Sequence, residues 1–122
     1  MSPWKNRPFK ARLRCALHGF AHAACAERSL KLQLLALGAA LVALLVLRPA
    51  PLWWALVLLS SAGVLACELL NTAIEQLADA LHPHDSEAIG TVKDCAAAAV
   101  LIACLGALAV AAALLTQLLR SP

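Results

Sequence analysis

The chain has 122 residues, of which 62% are hydrophobic and 14% are charged, and its formal net charge is +3 at pH 7. Soluble domains are usually about 45–50% apolar and about 25% charged, so this composition excludes an ordinary soluble domain and favours a membrane protein. The modest net charge gives no reason to expect a nucleic-acid partner, and the chain has room for a single membrane domain over residues 1–122.

The N-terminal segment has a helical pattern but is too polar to span a membrane. Phe9, Leu13 and Leu17 recur at helical spacing, while basic residues take the other faces. This pattern predicts an amphipathic helix over about residues 9–28 that lies in the membrane interface. An alternative interpretation is that the basic residues are only a topology signal in contact with anionic lipid.

Three apolar segments follow, and they predict transmembrane helices over about residues 30–47, 52–80 and 93–119. Positive residues gather before the first of these spans, whereas the connection to the second holds only Arg48. The positive-inside rule therefore predicts a cytoplasmic N-terminus. Two proline-containing segments interrupt the apolar sequence: Arg48-Pro49-Ala50-Pro51 predicts a tight outer turn, and His82-Pro83-His84-Asp85-Ser86 begins a cytoplasmic loop.

Polar residues recur where the second span ends. On a helix the following four share one face, within an arc of roughly 80°: Glu68, Asn71, Glu75 and Asp79. A charged side chain near the bilayer centre costs ~2.5–3.5 kcal/mol on insertion scales, so this stripe indicates a polar site rather than lipid contact. The alternative is structural: Glu68, Asn71 and Thr72 could join helices through interhelical hydrogen bonds.

The acidic residues suit phosphate chemistry. Hard oxygen ligands of the kind that bind Mg²⁺ come from Glu27, Glu68, Glu75, Asp79 and Asp94. Lys93 adds a positive charge for phosphate, and the combination fits phosphoryl transfer, which depends on positioning and charge stabilisation. A Walker A loop and a G-x-G-x-x-G motif are absent. The five cysteines form neither a C-x-x-C pair nor a zinc spacing.

Two motifs resemble the prokaryotic diacylglycerol kinase and undecaprenol kinase family. They are Glu68-Leu-Leu-Asn-Thr-Ala-Ile-Glu75, followed by Asp79, and Lys93-Asp94-Cys95-Ala96-Ala97-Ala98-Ala99-Val100. The resemblance extends from about Phe9 to Leu119. It implies an all-α integral membrane protein of the bacterial inner membrane, with three transmembrane helices and an N-terminal surface helix. It also implies a homotrimer with active sites between subunits at the cytoplasmic surface.

The resemblance further implies roles for individual residues. Glu68 corresponds to the catalytic base that takes the proton from the lipid hydroxyl, and Glu27 and Glu75 correspond to ligands of magnesium-linked ATP. Asn71 and Asp79 would orient that group, while Lys93 and Asp94 would contact the phosphates of ATP or hold the site together. Alignment alone places four more residues near the nucleotide, namely Cys15, His84, Asp85 and Ser86. It places Ala97 beside the lipid.

The leading interpretation is an ATP-dependent lipid kinase that uses Mg²⁺ and converts diacylglycerol to phosphatidic acid. Undecaprenol is the alternative acceptor, because Glu27-Arg28-Ser29 is closer to that branch of the family. Gln33 lies near the position of a second acid in some relatives. A small oligomeric cation transporter could also use acids inside spans, but it would not explain Lys93-Asp94 at a membrane surface.

Overall fold

The computed structural model describes residues 7–84 and 86–120. Asp85, one of the residues expected near the nucleotide, therefore lies outside the described residues. The described part is helical, and its elements are α1 (Phe9–Ala26), α2 (Arg28–Leu47), α3 (Pro51–Leu81) and α4 (Glu87–Arg120). The last three, of 20, 31 and 34 residues, are long and apolar enough to cross a membrane. The predicted all-helical chain with three spans is confirmed.

The connection between α2 and α3 is the tight turn predicted from its prolines. Arg48 ends α2 in the left-handed conformation, with φ 46°, and its backbone N–H donates to the Leu44 carbonyl at 2.9 Å. Pro51 occupies the first turn of α3, where its missing N–H leaves no helical hydrogen bond unmade. The chain thus reverses within a few residues, so α2 and α3 are neighbours.

α3 is the central element of the subunit. It packs along α4 most extensively and also contacts α2 and α1. Near the α2–α3 turn, Leu44, Val57 and Leu114 form a small buried cluster. At the same end the Trp53 indole N–H donates to Gln117 Oε1 at 2.9 Å, which joins the start of α3 to the end of α4.

An apolar cavity of about 500 Å³ lies between α2, α3 and α4. Its lining runs along α2 from Gln33 to Leu47 and is otherwise provided mainly by aliphatic side chains. Leu44, Val57 and Leu114 also line it, so the cavity extends from Gln33 to the buried cluster near the α2–α3 turn.

Large apolar side chains cover the outside of the bundle. Leu35 is 71% exposed, Leu59 73% and Ile102 70%, which would be unfavourable in water but is expected against lipid or neighbouring subunits. On α1, Phe9, Leu13 and Leu17 are likewise exposed. The small buried core of the single chain is thus consistent with a protein whose surroundings are apolar.

Candidate active site

The buried acid of the bundle is Glu68, whose residue is only 4% exposed. Ser29 donates its hydroxyl to Glu68 Oε1, and Gln33 donates Nε2–H to Glu68 Oε2 at 3.0 Å. Ser29 and Gln33 are four residues apart on α2, so both side chains reach the same face of that helix. Each oxygen of Glu68 is therefore held by one neutral donor from the neighbouring helix.

No cation neutralises Glu68 within residues 7–84 and 86–120. A buried carboxylate with neutral donors keeps lone pairs available on both oxygens, since each oxygen can accept more than one hydrogen bond. Such a group can accept a proton from a substrate without first breaking an ion pair. The arrangement suits a general base.

Asn71 and Glu75 form a second pair, one turn further along α3. Asn71 Nδ2 donates to Glu75 Oε1 at 3.2 Å, and both residues are half-buried. Asn71 Oδ1 is buried and has no hydrogen-bond partner among the described residues. The Glu75 carboxylate is a hard oxygen donor of the kind that suits Mg²⁺, whereas the amide oxygen of Asn71 is enclosed.

The third pair joins α3 to α4. Lys93 and Asp79 form an ion pair, with side chains 35% and 65% exposed respectively. They line a polar cavity of about 400 Å³ together with His82, His84 and Ser86. Ser86 also caps α4, because its Oγ accepts the Ile89 backbone N–H at 3.3 Å. A polar cavity with a lysine at its wall therefore lies between the ends of the two helices.

Glu27 lies at the corner between α1 and α2. Its backbone is extended, its N–H donates to the Ala23 carbonyl at 2.8 Å, and its carbonyl accepts the Lys31 N–H at 3.3 Å. The residue is half-buried. In the part of the chain that the structure describes, no three His, Cys, Asp or Glu side chains come together as a metal-binding group.

The remaining predicted residues lie apart from these pairs. Arg7 donates to Cys15 Sγ at 3.4 Å, at the exposed N-terminal end of α1. Asp94 and Ala97 are exposed on α4. The polar residues predicted to share one face of α3 lie in three separate groups. These are Glu68 with its two donors from α2, Asn71 with Glu75, and Asp79 with Lys93.

Sequence reasoning missed Ser29 and Gln33 as partners of Glu68. Their spacing of four residues at the start of the first span was a usable signal, because two polar side chains on one face of an apolar helix need a polar partner. Their register against α3 could not be predicted from spacing alone.

The comparison with known families supports a single assignment. The family described as prokaryotic diacylglycerol kinase matches residues 14–115. No individual curated protein matches the chain significantly. The matched range includes Glu27, both motifs, the whole of α2 and α3, and α4 as far as residue 115. Because this match covers most of a chain with three membrane-spanning helices, the protein belongs to the prokaryotic diacylglycerol kinase family, a family of membrane lipid kinases.

Proposed function

We propose that this protein is an ATP-dependent kinase that phosphorylates diacylglycerol to phosphatidic acid at the cytoplasmic face of the bacterial inner membrane. The observation that carries the proposal is Glu68, a carboxylate that is 4% exposed within a membrane-spanning helix and is bound by neutral donors. A lipid kinase needs a base at the depth of a lipid hydroxyl, and Glu68 is the buried acid among the described residues.

The proposed chemical step is a direct transfer. The lipid oxygen attacks the γ-phosphorus of ATP, a new oxygen–phosphorus bond forms, and the bond to the ADP oxygen breaks. Glu68 takes the proton of the lipid hydroxyl as that oxygen attacks. Ser29 and Gln33 hold the carboxylate during the transfer. Glu68 then releases the proton to water after the phosphorylated lipid leaves.

The proposed nucleotide site uses the other acids. Mg²⁺ in kinases is usually bound by one or two carboxylates together with substrate phosphates, so a preformed three-ligand group is not required. Glu27 and Glu75 would hold the ion, and Asn71 would orient Glu75 through its hydrogen bond. When bound, Mg²⁺ neutralises charge that develops on the phosphates. Lys93, beside the polar cavity with His84 and Ser86, would contact the nucleotide.

The proposed assembly is a homotrimer with shared sites. Apolar side chains are exposed along the spans, and the Asn71–Glu75 pair is only half-buried in the single chain. A neighbouring subunit could supply the second carboxylate and cover the half-buried Asn71–Glu75 pair. This arrangement would explain why each chain holds the polar residues in separate groups.

The acceptor is tested by supplying diacylglycerol and undecaprenol separately to the purified protein with Mg-ATP. We expect the higher kcat/KM with diacylglycerol. A higher value with undecaprenol would assign the protein to the alternative acceptor while retaining the kinase chemistry. Transfer to neither lipid, together with cation flux in proteoliposomes, would favour the transporter alternative.

The proposed orientation also predicts a reporter result. The positive residues before Leu32, together with three candidate spans in the described part of the chain, support a cytoplasmic N-terminus and an exterior C-terminus. A reporter that is active only outside the cytoplasm should be active when fused after Pro122 and inactive when fused after His84. The reverse result would place the nucleotide-binding residues on the wrong side of the membrane.

A further inference from the structure

We infer that Gln33 is a positioning residue that orients Glu68 for proton transfer, together with Ser29. This inference rests on the proposed kinase function. Gln33 Nε2 lies 3.0 Å from Glu68 Oε2, and Ser29 donates to the other oxygen. Two donors on two oxygens fix the plane of the carboxylate, whereas one donor would leave it free to rotate.

The orientation of the Gln33 amide is determined by its surroundings. Gln33 Oε1 is buried and has no partner among residues 7–84 and 86–120. An unmade hydrogen bond of this kind is unfavourable, so a compensating interaction must hold the amide in place. Turning the amide over would set Oε1 against a carboxylate oxygen, which repels it. The bond from Nε2 to Glu68 is therefore the interaction that selects the observed orientation.

A neutral donor at this position has a consequence for the reaction. A lysine or arginine here would hold Glu68 in an ion pair and would oppose its protonation. An amide donates a hydrogen bond without adding charge. Gln33 also lines the apolar cavity between α2, α3 and α4.

The inference is tested by Gln33→Met, which keeps the length of the side chain and removes the donor without adding charge. At saturating lipid we expect kcat to fall by up to about 10²-fold, as is typical when a reacting group is slightly misplaced, with the KM for Mg-ATP unchanged.

Gln117→Met is the matched control, because Gln117 also makes a hydrogen bond between helices, with Trp53, at the far end of the bundle. It should lower thermal stability without changing kcat of the folded protein. If Gln33→Met behaves in the same way, Gln33 has only a packing role and the inference is wrong. An inactive wild type would instead contradict the proposed function itself.

Discussion

Replacing Glu68 with glutamine is expected to lower turnover by about 10²–10⁴-fold, the usual contribution of a general base. The substitution preserves the size of the side chain but removes its capacity to take a proton from a lipid hydroxyl. Ser29 can still donate to the new amide oxygen, and the Gln33 amide can turn to accept from the new amide nitrogen. Both hydrogen bonds between α2 and α3 can therefore persist, so binding of Mg-ATP and the oligomeric state should remain.

The experiment measures kcat, the KM for Mg-ATP, oligomer size and thermal stability of the Glu68→Gln protein. Thr72→Val is a suitable control, because Thr72 is also buried on α3, at 5% exposure, but has no proposed part in the reaction. It should keep normal turnover. A Glu68→Gln protein that loses stability or its oligomeric state, while its folded fraction turns over normally, would show that Glu68 only joins the helices.

Replacing Glu75 with glutamine should raise the KM for Mg-ATP at least about tenfold and also reduce turnover, because one charged ligand of the proposed metal site is lost. Asn71 donates to Glu75 Oε1 at 3.2 Å, and a glutamine can still accept that bond, so the fold of α3 should be retained. Titrations of ATP and of magnesium measure the change. The KM for the lipid should stay the same. Unchanged titrations would remove Glu75 from the site.

The origin of the second carboxylate can be examined with mixed oligomers. The shared-site proposal assigns Glu27 and Glu75 to different subunits of one site. Mixing Glu27→Gln and Glu75→Gln subunits should then give more activity than either variant alone. Verified mixed trimers without activity would indicate that each site is built within one subunit.

The helices and the turn were predictable because their signals are local. Long apolar segments, with prolines at 49 and 51, predict the spans and the turn at Arg48 without reference to any other part of the chain. Burial of Glu68 was also predictable in outline, since an acid within an apolar helix must face a polar site or another helix.

The partners of the polar residues were less predictable because they depend on how the helices are aligned. Asp79 and Lys93 are 14 residues apart, and their ion pair depends on where α4 begins. That start is set by the Ser86 cap, which extends α4 beyond its apolar segment. The bonds from Ser29 and Gln33 to Glu68 depend in turn on the register between α2 and α3. Spacing within one helix carries no information about that register.

The most direct measurement of the central claim is a single turnover with γ-labelled ATP, using purified protein in lipid nanodiscs that contain diacylglycerol. We expect label to move from ATP into a chloroform-soluble phosphate monoester with wild-type protein. Glu68→Gln should bind the nucleotide equally but transfer label about 10²–10⁴-fold more slowly. Label that remains in ATP or appears only as inorganic phosphate with wild-type protein, or transfer at an equal rate in both proteins, would contradict the account.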